Sequence, residues 1–471
     1  MLIRLTALLV ALGLVAGGGA TSEGGGNRAE AAGTPSVAGA EGIGDPYFPR
    51  DGNGGIDVRS YEIHDRYRFG GRLTGWTRVR LRTTETLSSF DLDFLLHVSR
   101  VRLSTGRSTF DRPSRHELRI IPTRPIPEGA TVEVLVRYGG RPGGHAYAGE
   151  SNWSATAHEA EAVNEPHMAP WWFPSNDHPL DKARMDLHLT VPRDRQVVSN
   201  GRLLGVRRTA RLATYHWGHA GPMATYLAFF VAGRFDVQRG SAHRLPYYLA
   251  VSRELPRGMR RAAMRGLEHT PAVVAWLRHQ LGAYPFGSTG GVVTALDPGF
   301  SLENQTRPVY PRAVSNDLMV HELAHQWFGD SVSVRRWSDV WLNEGFATYM
   351  EHRWTETHGG ISTRRWLHEE YAAQPASFWQ LEVDDPGADA MFDWPVYQRG
   401  AMTLAALRVR IGSDTFAHLL RRWTSDHRHG HGTTAGFEAL AEQLSGQDLA
   451  SFFDAWLHQP TQPAATADNG L

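Results

Sequence analysis

Two histidines four residues apart, with a glutamate beside the first, are the residues of this sequence best suited to chemistry. In VHELAHQWFG, residues 320–329, His321 and His325 would lie one turn apart on the same face of an α-helix. Both imidazoles could then bind one metal ion, while Glu322 could take a proton from a metal-bound water. The pentapeptide alone is only moderately specific, so this interpretation needs a further ligand.

A third ligand follows in the segment WLNEGFATYMEH, residues 341–352, where eighteen residues separate His325 from Glu344. Two histidines and one carboxylate leave the fourth position of a tetrahedral zinc ion open for water, as in catalytic rather than structural sites. Of zinc, cobalt and manganese, zinc fits such a ligand set best. The sequence therefore predicts one Zn2+ per chain, bound by His321, His325 and Glu344.

The elements that must position these residues are helices. Beyond about residue 260, apolar residues recur at three- and four-residue spacing in the segments AVVAWLRHQLG, NDLMVHELAHQWFG, NEGFATYMEHRW and RGAMTLAALRVRIG. Residues 56 to about 235 instead alternate apolar and polar residues between turns, as in TRVRLRTT and MDLHLTV. The sequence thus predicts an antiparallel sheet with one buried face, followed by a mainly helical region.

The N-terminus predicts secretion. Residues 1–20 combine Arg4, an apolar run over residues 5–15 and the small residues Gly18, Gly19 and Ala20, a pattern typical of a cleaved signal peptide. The apolar run is shorter than the roughly 20 residues that span a bilayer. We therefore expect no stable membrane span after cleavage, with an uncleaved anchor as the alternative. Residues 21–43 are predicted to form a disordered Gly/Ala-rich spacer.

Composition excludes several classes of partner and site. The 49 basic and 49 acidic residues give a formal net charge of +0, so no long-range attraction to nucleic acid is expected. The chain has no cysteine, which excludes disulfides, thiolate metal sites and cysteine nucleophiles. Any metal must therefore bind to histidine, aspartate or glutamate. The sequence does not indicate whether the protein is a monomer or an oligomer.

Several motifs together resemble the gluzincin aminopeptidases of the aminopeptidase N type. They are HELAH followed by NEGFA, GAYPFG, SLENQTRPVY and VYQRG, and the likeness extends over much of residues 45–460. It implies an α+β multidomain fold, with an N-terminal antiparallel, saddle-like β domain (44–240) and a thermolysin-like, mainly helical catalytic domain (241–460). We expect a short form that lacks the family's C-terminal helical-repeat domain and ends in a flexible tail, residues 461–471.

The resemblance also implies roles for individual residues. It gives the same three zinc ligands, with Glu322 as the general base that passes a proton from water to the leaving amine. Tyr397 in VYQRG matches a tyrosine that donates a hydrogen bond to the developing oxyanion. Tyr349 and Tyr371 are nearby in sequence and remain alternatives for this role.

Aminopeptidase specificity requires a group that recognises a free ammonium. Glu303 in FSLENQT aligns with the glutamate of the family's Gly-Ala-Met-Glu-Asn motif, and Asn304 lies in the same presumed substrate strand. Glu165 in AVNEPHMAP is a second candidate for substrate binding. Two partly desolvated carboxylates would stabilise the amine by charge-assisted hydrogen bonds.

Two segments depart from the family pattern. Phe300 and Ser301 stand where the family usually has glycine and alanine, so the pocket for the first side chain of the substrate is expected to differ. Near Glu165, Pro170 and Trp171 replace the usual arginines.

The sequence as a whole predicts a secreted zinc metallopeptidase, an aminopeptidase that hydrolyses the N-terminal bond of peptides with a free N-terminus. A zinc endopeptidase is the alternative within the same class, and cleavage of blocked substrates would distinguish it. A zinc-containing binding protein without turnover is the alternative from a different class. Glu322 and Tyr397 argue against that alternative, because a binding protein needs neither.

Overall fold

The structure, a computed structural model, describes residues 36–471. The predicted signal peptide, residues 1–20, and residues 21–35 of the predicted spacer lie outside this range. Within it, strands dominate as far as residue 252 and helices dominate from residue 257 onward. The described residues, Ser36–Leu471, form one compact unit.

The strands that precede the first helix are β1 (Val37–Ala38), β2 (Ile56–Arg68), β3 (Arg72–Thr83), β4 (Leu87–Asp93), β5 (His97–Leu103), β6 (Ser108–Asp111), β7 (Glu117–Pro122), β8 (Thr131–Gly140), β9 (Trp153–Ala155), β10 (Ala160–Ala162), β11 (Ala183–Pro192), β12 (Gln196–Ser199), β13 (Arg202–Arg208), β14 (Leu212–Met223), β15 (Phe230–Gly233), β16 (Phe235–Ala242) and β17 (Leu245–Ser252).

The helical region contains, in chain order, α1 (Arg257–Leu267), α2 (Thr270–Leu281), β18 (Thr289–Thr294), β19 (Val309–Pro311), α3 (Asn316–Ala324), β20 (Ser333–Val334), α4 (Trp341–Thr357), α5 (Thr363–Ala373), α6 (Trp394–Ile411), α7 (Ser413–Asp426), β21 (His431–Gly432), α8 (Thr434–Ser445) and α9 (Ala450–Phe453). Among these helices, none combines the length and the apolar character needed to cross a membrane.

The largest sheet has seven strands in the order β13-β14-β11-β2-β3-β8-β5. Its neighbouring strands are antiparallel except β2 and β11, which run parallel. Side chains alternate between the two faces, so that Val132, Val134 and Val136 of β8 are buried while Glu133 is exposed. The predicted fold class is confirmed: a mostly antiparallel sheet region precedes a mainly helical one.

A second, four-stranded sheet has the order β16-β17-β18-β19. Strand β16 pairs with β17 over residues 235–252, and β17 then pairs in parallel with β18. The predicted domain boundary between residues 240 and 241 therefore falls inside β16. The sequence gives no sign of this continuity, because a hairpin between two domains has the same local pattern as a hairpin within one.

Helices α4 and α6 approach each other closely enough for backbone contact. A Cβ atom added to Gly345 would lie 2.9 Å from the Cα of Gly400, and one added to Gly400 would lie 2.9 Å from the Cα of Gly345. Real Cβ atoms do not approach backbone atoms so closely, so both positions require glycine. This crossing brings Glu344, which adjoins Gly345 on α4, near Tyr397, which lies three residues before Gly400 on α6.

Both predicted flexible segments contain ordered residues. In residues 36–43 of the predicted spacer, β1 pairs with β4 and the Gly39 amide donates to Ser89 O at 2.9 Å. In the predicted tail, residues 461–471, Pro463 O accepts a hydrogen bond from the Tyr371 hydroxyl at 2.5 Å. Asn469 O accepts one from Trp456 Nε1 at 3.1 Å. These predictions were based on side-chain composition, whereas the observed contacts use backbone groups that composition does not reveal.

A buried arginine connects α6 to the C-terminal segment. The Arg399 side chain is 0% exposed. Its guanidinium donates to five backbone carbonyls, at 2.7–3.1 Å, of Trp379, Leu381, Ala455, Gln459 and Thr461.

We expect Arg399→Met to lower the free energy of unfolding by about 3 kcal/mol, because it leaves several buried carbonyl groups without a donor. Arg364→Met, at an exposed position of α5, is the matched control and should change it by less than about 0.5 kcal/mol. Urea unfolding followed by circular dichroism measures both. Equal midpoints for the two variants would contradict the assigned role of Arg399.

Candidate metal centre and cleft

Helices α3 and α4 bring the three predicted metal ligands together. Ser315 caps α3, since its side chain accepts a hydrogen bond from the Leu318 amide at 3.2 Å. The Nε2 atoms of His321 and His325 lie 3.3 and 3.4 Å from Glu344 Oε2. The three residues form a buried cluster whose donor atoms are all within 4.8 Å of one another.

These distances fit a tetrahedral zinc ion. With metal–ligand distances of ~2.0–2.1 Å, neighbouring donor atoms around a tetrahedral ion are roughly 3.3–3.4 Å apart. The distances from the two Nε2 atoms to Glu344 Oε2, 3.3 and 3.4 Å, lie within this range. The chemistry of the donor set agrees, because two imidazoles and one carboxylate leave a fourth position open. The residues present therefore fit the zinc ion that the sequence predicts.

Each ligand histidine is held by a second hydrogen bond at its other ring nitrogen. His321 Nδ1 lies 2.6 Å from Glu351 Oε1, and His325 Nδ1 lies 3.1 Å from Phe328 O. Such bonds fix the tautomer that presents Nε2 to a metal. Sequence reasoning missed Glu351, although it follows Glu344 by seven residues, which is two helical turns on the same face of α4.

Burial and neighbouring charges set the protonation of the two glutamates at this centre. Burial raises the pKa of Glu344, but the two histidines outweigh it and lower that pKa to about 2. Glu344 is therefore ionised at neutral pH, as a metal ligand must be. Burial raises the pKa of Glu322 to about 8, against the opposing effect of His321 and His325. A carboxylate with a pKa near neutrality is suited to accept and return a proton.

The metal cluster opens into a cleft of about 680 Å³. Its walls include the three ligands and Glu322, the carboxylates Glu165 and Glu303, the segment 300–302, and Phe392, Trp394, Tyr397 and Gln398. The structure thus brings together in one cleft all but one of the site residues that the sequence predicts.

Two carboxylates lie at the metal end of this cleft. Donor atoms of Glu303, Glu322 and His325 are within 4.8 Å of one another, and Glu303 is 3% exposed. The Tyr226 hydroxyl lies 3.4 Å from Glu303 Oε1, a contact that the sequence did not indicate. Glu165 Oε1 is buried and has no hydrogen-bond partner within residues 36–471. Burial and the charge of Glu303 raise the pKa of Glu165 well above its ordinary value.

Of the three candidate tyrosines, Tyr397 is the one that lines the cleft. Its ring centroid is 6.1 Å from that of His321, with the two rings nearly parallel. Tyr349 packs instead on Phe416, at 5.4 Å between ring centroids, and the Tyr371 hydroxyl donates to a backbone carbonyl of the C-terminal segment. The location of Tyr397 therefore favours it over both alternatives.

Asn304 is the predicted substrate-binding residue that the structure does not bring into the cleft. Its side chain is 0% exposed, and its Nδ2 donates to Leu227 O at 3.1 Å. Glu303 lines the cleft, whereas the Asn304 amide is bonded to a backbone carbonyl in the protein interior. Asn304 also begins a turn, since its carbonyl accepts a hydrogen bond from the Arg307 amide at 2.8 Å.

Gln326, which the sequence analysis did not single out, fixes the position of the segment that carries Glu303. Gln326 follows His325 directly, and its Nε2 donates to Glu303 O at 2.8 Å. Its Oε1 accepts from the Thr306 amide at 2.7 Å. These two bonds connect the C-terminal end of the metal-binding helix to the segment that carries Glu303, so both sides of the site keep a fixed separation.

Comparisons with known proteins agree with this geometry. Residues 290–456 match the peptidase family M1 domain. Aminopeptidase N of Lactococcus lactis subsp. cremoris is 28% identical over 340 residues, which are 64% of this chain and 39% of that protein. Aminopeptidase M1-C of Oryza sativa subsp. japonica is 25% identical over 346 residues, 68% of this chain and 38% of that protein. The chain thus spans 38–39% of the length of these relatives.

Solved structures are similar over more of the chain. An M1 zinc metallopeptidase from Deinococcus radiodurans, bound to a Tyr-Ser-Ala substrate, is 25% identical with a TM-score of 0.82; 90% of this chain and 100% of that chain are covered. A two-domain M1 zinc metallopeptidase bound to L-arginine has the same identity and TM-score. The predicted resemblance to the aminopeptidase N-type zinc metallopeptidases is confirmed. These findings support a metallopeptidase with one catalytic zinc.

We expect Glu351→Gln to weaken zinc binding by about 10- to 100-fold, because the carboxylate partner of a ligand histidine orients it and raises its basicity. Zinc affinity is measured by competition with a chromogenic chelator. Glu369→Gln, at an exposed carboxylate of α5, is the control and should leave the affinity unchanged. An unchanged zinc affinity in Glu351→Gln would contradict the assigned role of Glu351.

Proposed function

Because residues 290–456 match the peptidase family M1 domain, we propose that this protein is a secreted zinc aminopeptidase that hydrolyses the N-terminal bond of peptides. The observation that carries the proposal is a pair of carboxylates at the metal end of the cleft: Glu303, which is buried, and Glu165, whose Oε1 atom is buried. A free ammonium group would find charge partners there, beside the atoms that perform hydrolysis.

The electrostatics of this end of the cleft favour a bound cation. A buried carboxylate oxygen without a partner costs free energy, because it has lost water and gained no hydrogen bond. Glu165 Oε1 is in this state within the described chain. Burial also raises the pKa of Glu303, with a further contribution from Glu344. The ammonium of a substrate would relieve both costs, whereas an acetylated amine would leave them in place.

Hydrolysis would use residues that line the same cleft. A zinc ion bound by the two histidines and Glu344 would supply Lewis-acid chemistry and lower the pKa of a coordinated water toward 7. Glu322 accepts the proton from the attacking water and delivers it to the leaving amine. The Tyr397 hydroxyl donates a hydrogen bond to the oxygen that gains negative charge. Both residues line the cleft beside the ligands.

The first side chain of the substrate would contact Phe300 and Ser301. Both residues line the cleft, and Phe300 is 38% exposed. They stand immediately before the segment that carries Glu303. A larger residue at position 300 than the family's usual glycine narrows the space available there, so the preference for the first residue is expected to differ from that of relatives with glycine.

Secretion is the second part of the proposal. The support is the N-terminal sequence, whose basic residue, short apolar run and small residues are typical of a signal peptide. The test is N-terminal sequencing of the protein recovered from the culture medium and from the cell fraction of an expressing host. A mature N-terminus after residue 20 in the medium would support export, and an intact Met1 retained with the cells would reject it.

Free and N-acetylated peptides of the same sequence should behave differently. We expect cleavage of the free peptides alone, and only at the first bond. Glu322→Gln should reduce kcat by at least about 100-fold, because it removes the proton carrier, and a chelator should abolish turnover reversibly. Product analysis by mass spectrometry makes the measurement. Internal cleavage of acetylated peptides would indicate an endopeptidase, and bound zinc without any turnover would indicate a binding protein.

The two proposed anchors can be tested separately from the chemistry. Glu303→Gln and Glu165→Gln should each lower kcat/KM for free peptides by about 30- to 100-fold, since a lost charge partner in a buried pair costs about 2–3 kcal/mol. Asp317→Asn removes an exposed carboxylate from the same cleft and should have little effect. If all three variants retain wild-type kcat/KM, the carboxylates do not anchor the amine.

A further inference from the structure

A second cluster of potential metal ligands lies inside the N-terminal sheet region. Asp93 ends β4, and Glu117 begins the adjacent strand β7, where it is the register partner of Asp93. His116 precedes Glu117 in the chain. The side chains of all three are buried, at 0–5% exposure. One donor atom from each lies within 4.8 Å of the others.

The spacing of these atoms matches that of the catalytic ligands. His116 Nδ1 lies 3.5 Å from Asp93 Oδ1 and 3.3 Å from Glu117 Oε1. The corresponding distances at the catalytic centre are 3.3 and 3.4 Å. The contact between His116 and Glu117 is a long hydrogen bond, whereas charge-assisted hydrogen bonds are usually about 2.7–2.9 Å long. Separations near 3.4 Å are those of donor atoms around a tetrahedral metal ion of zinc's size.

The cluster also has unpaired buried acceptors. Asp93 Oδ1 and Glu117 Oε2 have no hydrogen-bond partner in the part of the chain that the structure describes. The guanidinium of the nearby Arg112 is directed elsewhere, to the backbone carbonyls of residues 94, 96 and 115. Two carboxylates therefore share one imidazole in a buried site, and burying such charge without compensation is costly. A divalent cation would balance it.

Other residues with unpartnered buried polar atoms are hydrogen-bonded to Asp93. Asn53 Nδ2 and the Asp177 amide both donate to Asp93 Oδ2, at 3.3 and 2.6 Å, and Ser175 exchanges two backbone hydrogen bonds with Asp93. The side chains of these residues carry the unpartnered buried atoms Asn53 Oδ1, Asp177 Oδ2 and Ser175 Oγ. The His116 ring is fixed by stacking on Tyr147, with 3.7 Å between ring centroids.

We propose that Asp93, His116 and Glu117 bind a second metal ion, a divalent transition metal such as zinc, with a structural role. The imidazole ligand favours such an ion over magnesium or calcium, which prefer oxygen donors alone. Complete burial favours a structural role, because substrate has no access to a dry interior site. The bound ion joins the end of β4 to the start of β7.

A row of histidines on the seven-stranded sheet is the alternative location for a second metal ion. His64, His188 and His216 stack across neighbouring strands at 4.1 and 4.0 Å between ring centroids. These side chains are 24–34% exposed. Two of them already have short contacts with carboxylates, 2.9 Å from His64 to Glu62 and 2.6 Å from His216 to Asp186. Hydrogen bonding accounts for this row without a metal.

The experiment removes the two histidine ligands of the catalytic site and measures how much zinc each chain still binds. The double variant His321→Ala/His325→Ala of the full chain is incubated with zinc sulfate, dialysed against metal-free buffer and analysed by plasma mass spectrometry. We expect one equivalent of zinc per chain, against two in the wild type. Adding Glu117→Gln should remove that equivalent, whereas adding His188→Gln, the matched control in the histidine row, should not.

Three results would overturn the proposal. They are absence of zinc from the double variant, loss of the remaining zinc in His188→Gln, and its retention in a folded Glu117→Gln protein. If Glu117→Gln does not fold, a crystal of the wild-type protein measured at the zinc absorption edge decides the question. An anomalous peak among Asp93, His116 and Glu117 supports the second site, and an anomalous peak at the catalytic ligands alone rejects it.

Discussion

Mutual repulsion among buried carboxylates is the constraint on which the arrangement of the cleft depends. Glu165, Glu303, Glu322 and Glu344 share one poorly hydrated site, and each disfavours ionisation of its neighbours. The imidazoles of His321 and His325 offset part of this repulsion and keep Glu344 ionised. The remainder favours cations at this end of the cleft, and the proposed zinc ion and substrate ammonium are both cations.

The rest of the fold keeps these charges at fixed separations. Glycines in two different motifs, Gly345 and Gly400, allow α4 and α6 to cross at backbone contact, so that a metal ligand and a hydroxyl donor lie on the same wall. Arg399, next to Gly400, connects α6 to the C-terminal segment through backbone carbonyls. Gln326 connects the end of α3 to the segment of Glu303. Rigid elements therefore surround the reacting groups, which is what preorganised electrostatic catalysis requires.

The sequence predicted the parts of the site that follow from local geometry. His321 and His325 lie on one helix, where a four-residue spacing fixes their common face. Glu344 and Tyr397 were found by motif and resemblance, because their approach to α3 depends on tertiary packing. Glu351, Tyr226 and Gln326 were missed for the same reason, although Glu351 has helical spacing from Glu344.

Other differences between prediction and structure have equally local causes. Asn304 was assigned to the cleft with its neighbour Glu303, yet its buried side chain donates to the backbone carbonyl of Leu227 in the protein interior. Residues 36–43 and 461–471 were predicted to be flexible from their composition, and both form hydrogen bonds through backbone groups. The cluster around Asp93 was not predicted because its residues come from the end of β4 and the start of β7, which lie far apart in sequence and meet only when the two strands pair.

The sheet that crosses residue 240 limits how this protein can be divided. The predicted boundary cuts through strand β16, and the whole of its partner β17 lies beyond it. Cutting between them would leave each fragment with a row of unpaired amide and carbonyl groups, and such exposed edges promote aggregation. The catalytic region is therefore not a portable module: recombination between relatives would have to exchange the hairpin whole, with a crossover placed before β16 or after β19.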